Sequence, residues 1–172
     1  VTAGNVEDDI VLLPTAIIDE LAKNKLVDSS TRTPIGTIRI GAAVREGVPT
    51  PDVSTLTSVT QTLFSAKSII LTEAPSGVHM DRVITELGLG HKLADRITRY
   101  DTGTMVNGHL STSTAKNEIA FGVATEILFC RNKGVRYAGP LPDEMQMALD
   151  YEAVMLKSCQ KPDAVNEFFT FL

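Results

Sequence analysis

The apolar residues of this chain alternate between the two-residue period of strands and the 3.6-residue period of helices. Short apolar or alternating runs predict strands at 9–13, 37–44, 69–71, 96–100, 119–123, 135–138 and 145–155. Between them, amphipathic stretches predict helices near Thr15, Ser54, Ser76, Gly103, Thr125 and Pro162, with Thr15 and Ser54 as helix caps. Strands that alternate with helices indicate an α/β fold with a mainly parallel sheet.

The segment KSIILTEAPSGVHMDRVITEL, residues 67–87, contains the clearest strand-turn-helix unit. A buried strand at 69–71 leads through the small-residue turn at 74–77 into a helix that Gly88 ends. Two interpretations are open. Either Ser76 is the N-cap of an ordinary turn, or the free backbone N–H groups and the positive end of the helix dipole form an anion site.

Two more turns have the same character. The loops at 101–105 and 122–125, like residues 74–79, follow predicted strands, are rich in Gly, Ser and Thr, and contain no lysine or arginine. In α/β sheets, ligands bind beyond the carboxyl ends of strands, at helix N-termini. Amide and hydroxyl donors of this kind suit a small, desolvated anion that is held without ion pairs.

Composition narrows the choice of partner. The chain has 172 residues, of which 43% are hydrophobic, and a net charge of −5. This acidic balance argues against nucleic acid or an anionic membrane as the main partner. No run approaches the roughly 18 apolar residues of a membrane span, and residues 1–5 show neither the charged nor the apolar region of a leader. We expect that any signal peptide has already been removed.

Cysteine and histidine provide no metal or cofactor signature. Cys130 and Cys159 form no CxxC pair and are predicted to be buried free thiols. The three histidines, His79, His91 and His109, form no metal-binding array, and a surface or helix-cap role is the prediction for each. We therefore predict no metal and no cofactor.

The order and spacing of several segments resemble a known family. These segments are DDIVLLPTAIIDELAKNKLV, TIRIGAAVREGVPTPDVSTLTSV, AKSIILTEAPSGVHMDRVITELGL, NEIAFGVATEIL, VRYAGPLPDEMQ and QKPDAVNEFFTFL. Together they resemble the periplasmic solute-binding proteins of ABC importers with the type II fold, in particular the molybdate-binding-like branch. The resemblance covers essentially the whole chain, although no single motif is highly specific.

The resemblance implies two α/β lobes around a ligand cleft. Residues 1–44 and 148–172 would belong to lobe I and residues 45–147 to lobe II, with hinge strands near 38–44 and 147–155. It further implies a periplasmic or extracytoplasmic location, a small anionic ligand and the membrane subunits of an ABC importer as partners. The implied ligand-binding residues are Ser76, Gly77, Val78, His79, Thr104, Met105, Ala124 and Thr125.

The family pattern also begins with a β-α-β-α segment that has no counterpart here. Two such units correspond to on the order of 60 residues. We therefore expect the first lobe to be incomplete. Apolar positions of that lobe would then lack cover, which predicts self-association through lobe I or a requirement for the absent residues.

Two functional classes remain open. The first is a binding protein that captures a molybdate-like oxyanion or a small carboxylate for transport. The second is an isomerase on the same scaffold, because the resemblance extends to aconitate isomerase, and His79 would then be the candidate acid or base. Binding is the favoured hypothesis. Because a carboxylate often recruits an arginine, and the three loops contain none, the sequence favours a compact oxyanion or a ligand that is bound mainly by lobe I.

Overall fold

The computed structural model describes residues 8–172. The prediction that residues 1–5 lack leader features therefore concerns residues outside the described part. The chain divides into two compact units, one formed by the residues up to Ile38 together with Leu149–Leu172, and one formed by Arg39–Ala148. The predicted hinge role of 38–44 and 147–155 stays a prediction. Of the helices in residues 8–172, none has the length and apolar character that crossing a bilayer requires.

The described residues contain seven strands and seven α-helices. The strands are β1 (Ile10–Pro14), β2 (Thr33–Arg45), β3 (Ser68–Thr72), β4 (Ile97–Tyr100), β5 (Glu118–Val123), β6 (Val135–Pro140) and β7 (Ala148–Met155). The helices are α1 (Thr15–Lys23), α2 (Leu56–Ser65), α3 (Pro75–Glu86), α4 (Gly90–Leu93), α5 (Gly103–Thr112), α6 (Ala124–Phe129) and α7 (Pro162–Phe171). Strands and helices alternate along the chain, except that α4 follows α3 and β7 follows β6. Short 3-10 turns lie at Ser29–Thr31, Ala94–Arg96 and Asp143–Met145.

In the first unit, β1 and β7 form an antiparallel pair in which Ile10 lies opposite Met155. Helix α1 packs its apolar stripe against this pair. The small core consists of Ile18, Leu21, Val27, Val154 and Leu156. The predicted strand at 145–155 is thus shorter than expected, because Met145 belongs to a 3-10 turn and the strand begins at Ala148.

Beside this core, Arg32 joins two acidic residues. Its guanidinium contacts the carboxylates of Asp19 at 2.7 Å and of Glu152 at 2.5 Å. The hydrogen bond from Arg32 holds the pKa of Glu152 below its ordinary value. The Thr15 hydroxyl also donates to Glu152, at 3.2 Å. The predicted cap role of Thr15 is therefore wrong: it is the first residue of α1, and its hydroxyl is used for this tertiary contact.

The second unit contains a five-stranded sheet in the order β6-β2-β5-β3-β4. Strand β3 is parallel to β4 and β5, whereas β2 is antiparallel to β5 and β6. The prediction of a mainly parallel sheet is wrong in this respect, since half of these pairs are antiparallel. Hydrophobic periodicity reports which face of a strand is buried, but it does not report the strand's direction.

Helices cover both faces of this sheet. Helices α2, α3 and α4 pack on one face, which buries Ile69 and Leu71 of β3. Helices α5 and α6 pack on the other face, which buries Ile70. The continuous apolar run in β3 therefore reflects burial on both sides, as in other covered sheets.

Strands β3, β4 and β5 end at one edge of the sheet. Thr72 at the end of β3 lies opposite Tyr100 at the end of β4, and Ile70 lies opposite Ala120 of β5. Helices α3, α5 and α6 start directly after these strands. The three small-residue turns that the sequence analysis identified therefore follow strand ends at the same edge.

Several helix boundaries differ from the prediction. Thr55, not Ser54, caps α2, because Thr55 and Ser58 form a reciprocal capping box. Helix α3 begins at Pro75, which is favoured at a first helical position. Ser76 is therefore inside the first turn and is not the N-cap.

Two further predictions need correction. The helical pattern that starts at Gly103 predicts a helix ending near Ala115, but α5 ends at Thr112, since Ser113 has extended backbone angles. Cys130 and Cys159 are free, but both are half-buried rather than fully buried.

Candidate functional site

The first turn of α3 has fewer free donors than the sequence suggested. Pro75 has no N–H, and the N–H groups of Gly77 and Val78 both donate to the Ala74 carbonyl, at 2.9 and 3.2 Å. The Ala74 N–H donates to the Thr72 hydroxyl at 3.1 Å. Because of the proline and these local hydrogen bonds, most of the backbone N–H groups expected to bind an anion are missing or already bonded.

Ser76 and Gly77 face the protein interior. Ser76 is 3% exposed. Gly77 lies directly against the β3 backbone, where a Cβ atom would be 1.7 Å from the Thr72 carbonyl oxygen. The next residue, Val78, is 60% exposed. The sequence PSGVH therefore has an inner part that packs against β3 and an outer part that faces solvent.

The outer part borders a groove of about 740 Å³ along the flank of α3. Pro75, Val78, His79 and Arg82 share one helix face, because these positions are three, four and seven residues apart. Glu73, two residues before the helix, also borders the groove. Residues 146–148 form the opposite wall. All of these residues belong to the second unit.

His79 lines this groove but is largely buried, with 8% of the residue exposed. Its Nε2 lies 2.9 Å from the Met145 carbonyl oxygen, and its Nδ1 lies 3.1 Å from Nη2 of Arg82. Because a guanidinium only donates and a carbonyl only accepts, we assign Nδ1 as the acceptor and Nε2–H as the donor. The predicted surface or cap role of His79 is wrong, since the 3-10 turn that ends at Met145 covers the ring.

Gln146 and Arg82 are groove residues that the sequence analysis did not identify. The Gln146 amide accepts from the Ile40 N–H at 2.6 Å and donates to the carbonyls of Ile40 and Leu141, which fixes the opposite wall. Arg82 is exposed, and its Nε lies 3.7 Å from the exposed Glu86 carboxylate. The three-residue spacing between His79 and Arg82 was the available signal, because such pairs are neighbours on a helix.

The other predicted ligand residues lie elsewhere in the second unit. Thr104 and Thr125 border a separate groove of about 470 Å³ between α5 and α6, together with Asn107. Met105 is 47% exposed, and its N–H donates to the Thr102 side chain at 3.3 Å. Ala124 begins α6 and is half-buried. Thr104 and Thr125 do not border the α3 groove.

An acidic side chain of the protein lies at the start of α5. A Cβ atom at Gly103 would be 1.8 Å from the Glu126 carboxylate. The favourable end of the α5 dipole is thus adjacent to a carboxylate of the chain itself. Glu126 also lies in the first turn of α6, and Glu73 borders the α3 groove, so each of the three turns has an acidic side chain nearby.

His109 is the second histidine that differs from its predicted surface role. It connects the Tyr100 hydroxyl, 2.8 Å from Nδ1, with the buried Glu118 carboxylate, 3.1 Å from Nε2. Burial alone would raise the pKa of Glu118, but hydrogen bonds from Ser113 and His109 together hold it below its ordinary value. This cluster packs α5 onto the sheet and does not border the α3 groove.

Family comparison agrees with this architecture. The sequence model of the family described as bacterial extracellular solute-binding protein matches residues 2–172. The chain belongs to this family. The α3 groove and the α5–α6 groove are therefore features of a solute-binding scaffold.

Known relatives differ in length and in described activity. The chain is 25% identical over 170 residues to an aconitate isomerase from a Pseudomonas species, and it covers 63% of that relative's length. The periplasmic molybdate-binding protein of Azotobacter vinelandii has a TM-score of 0.70 at 15% identity, with 97% of this chain and 72% of that protein covered. A tungstate-binding protein from Desulfovibrio alaskensis has a TM-score of 0.59 at 8% identity, with 95% and 69% covered. These structures have the type II periplasmic binding fold in common with this chain.

Proposed function

We propose that the protein is an extracytoplasmic solute-binding protein that captures a small anion for an ABC importer. Membership of the extracellular solute-binding family supports the general role. Structural relatives described as molybdate-binding and tungstate-binding support an anionic ligand. The membrane subunits of the importer would be its protein partners.

Of the grooves described in the second unit, the α3 groove is the best candidate for the ligand site. It is large enough for a small solute, and its lining combines the buried His79 with the exposed guanidinium of Arg82. Of the residues expected from sequence, Val78 and His79 line it. Ser76 and Gly77 are buried in the first turn of α3 and do not line it. The remaining expected residues do not line the α3 groove, and they would bind the ligand only at a second site: Thr104, Met105, Ala124 and Thr125.

A thermal-shift screen of the full-length protein tests the proposal. Molybdate, tungstate, sulfate, citrate and malate are the anions, and thiamin is a cation for comparison. A ligand present at 100 times its Kd stabilises the folded protein by about 2.7 kcal/mol. At least one anion should therefore raise Tm by several degrees, whereas thiamin should not. A protein whose Tm responds to none of these anions contradicts the proposal.

Blocking the groove provides the matched control. Val78→Trp adds bulk at an exposed groove position, so ligand binding should be lost while Tm without ligand stays near the unmodified value. Thr112→Trp, at the exposed end of α5, should retain binding. If Val78→Trp binds the anion normally, the ligand site lies outside the α3 groove.

A second candidate is an isomerase that acts on a small polycarboxylate. The observation in its favour is the 25% identity to an aconitate isomerase over almost the whole chain. His79 would be its acid or base, but both ring nitrogens are already engaged by Arg82 and the Met145 carbonyl. Proton transfer would therefore require Arg82 to move. Following cis-aconitate and trans-aconitate by ultraviolet absorbance, with His79→Asn as the comparison, distinguishes catalysis from binding alone.

A further inference from the structure

Arg82 has donors available on the groove side of α3. One N–H of its Nη2 reaches His79, and no other hydrogen bond from this guanidinium occurs within residues 8–172. The contact to Glu86 is a longer ion pair between two exposed side chains. Three of the five N–H groups that a guanidinium carries thus have no partner within residues 8–172 and can bind a ligand.

His79 orients this guanidinium. The imidazole is itself fixed by the Met145 carbonyl and is almost fully buried, so its Nδ1 lone pair is a rigid acceptor. A long arginine side chain that is tied at Nη2 loses less freedom when it binds a ligand than an untied one. His79 is therefore a positioning residue for Arg82.

Resting on the proposed function, we propose that the anion is a small carboxylate and that Arg82 binds a carboxylate group of this ligand. The planar guanidinium fork matches the two oxygens of a carboxylate. Glu73 also borders the groove, so a polar neutral part of the ligand, such as a hydroxyl, fits better beside it than a negative group does.

The same geometry is poorly suited to a tetrahedral oxyanion. Such a ligand needs several converging amide and hydroxyl donors, yet the N–H groups of Gly77 and Val78 are already bonded to Ala74. The sequence-based preference for an oxyanion counted only the loops, and Arg82 lies just beyond the loop at 74–79. Arg82 is the arginine that a carboxylate ligand often recruits and that the loops lack.

Titration calorimetry with citrate and with molybdate tests the proposal in the full-length protein. Citrate should bind, and Arg82→Lys should weaken citrate binding about tenfold or more, because lysine keeps the charge but loses the fork. Arg136→Lys is the matched control, since Arg136 is exposed on β6 and does not line the groove. It should leave citrate affinity within about twofold.

The positioning role of His79 has its own readout. In His79→Asn, the side-chain oxygen can replace Nδ1 as the acceptor for Arg82, whereas His79→Leu removes the acceptor. If His79 orients Arg82, the Asn variant should recover most of the citrate affinity that the Leu variant loses, even where both have a lowered Tm. If the citrate affinities of the two variants instead decrease in proportion to their Tm, His79 does not position Arg82.

The outcomes separate this inference from the proposed function. Binding of molybdate without citrate overturns the carboxylate assignment and leaves the binding function intact. Equal citrate affinity in the unmodified protein and Arg82→Lys overturns the role of Arg82. Binding of neither anion, together with no response in the thermal-shift screen, contradicts the binding function itself.

Discussion

Replacing Gly77 by alanine should destabilise the protein although the residue lies in a helix. Alanine normally stabilises a helix relative to glycine by about 1 kcal/mol. At Gly77, however, the added Cβ would lie 1.7 Å from the Thr72 carbonyl oxygen and 2.7 Å from its carbon. These are backbone atoms of β3, which lies between β5 and β4, so neither side can move without disturbing the sheet.

The magnitude follows from these two opposing effects. Overpacking of a tight interior typically costs about 1–3 kcal/mol and sometimes more, which exceeds the gain in helix propensity. Gly108 offers the matched control, because it lies in α5 and a Cβ there would meet nothing within 4 Å. Gly108→Ala should therefore stabilise by about 0.5–1 kcal/mol. Both variants gain helix propensity, so they should differ by the overpacking cost of about 1–3 kcal/mol, or about 2–12 °C in Tm for a chain of this size.

Thermal unfolding followed by circular dichroism measures this difference. Gly103→Ala extends the series, since its Cβ would meet the carboxylate of Glu126, the flexible end of an exposed side chain. That change should cost much less than Gly77→Ala. The reasoning is refuted if Gly77→Ala raises Tm as Gly108→Ala does, because α3 would then not pack against the β3 backbone as described.

Three further predictions concern the rest of the chain. The pKa of Glu152 is lowered in the folded protein by Arg32, so its contribution to stability is present above the ordinary value of 4.5 and is lost as the pH falls through the folded-state pKa. In urea unfolding from pH 7 to pH 3, the free energy of unfolding should therefore fall more steeply than in Glu152→Gln, and equal slopes would contradict this prediction. Thr55→Ala should cost about 1 kcal/mol by removing the α2 cap, measurable as a lower Tm, and an unchanged Tm would argue against the cap. Because Leu12 and Phe171 are 52% and 86% exposed, residues 1–172 alone should self-associate in light scattering, and a stable 18.5 kDa monomer would refute this.

The sequence was sufficient to predict the α/β class and the strand-turn-helix unit of residues 67–87. Both depend on local periodicity: Ile69, Ile70 and Leu71 form a run buried on two faces, and Met80, Val83 and Ile84 form a helical stripe. Strand direction was not predictable in the same way. The antiparallel pairing of β2 depends on which distant strands it meets, and no local pattern records that choice.

The environment of the candidate site was less accessible. The burial of His79 depends on the Met145 carbonyl, 66 residues along the chain. A lone histidine near a helix start gives no indication of such a partner. Arg82, in contrast, could have been identified, because helical geometry places it on the face that carries Val78 and His79. The charge argument considered only the loops, whereas Arg82 lies in the second turn of the helix that follows one of them.

The glycines of these turns explain why small residues are an ambiguous indication of ligand binding. Gly77 allows the helix to approach the Thr72 carbonyl, and Gly103 allows the Glu126 carboxylate to approach α5. Both are close contacts within the protein, and either would give the same composition as a turn that admits a ligand. The anion therefore requires a recognition group that keeps hydrogen-bond donors available after its contacts within the chain. In the second unit, the guanidinium of Arg82 at the α3 groove meets that requirement, since only one of its N–H groups is hydrogen-bonded to the described protein.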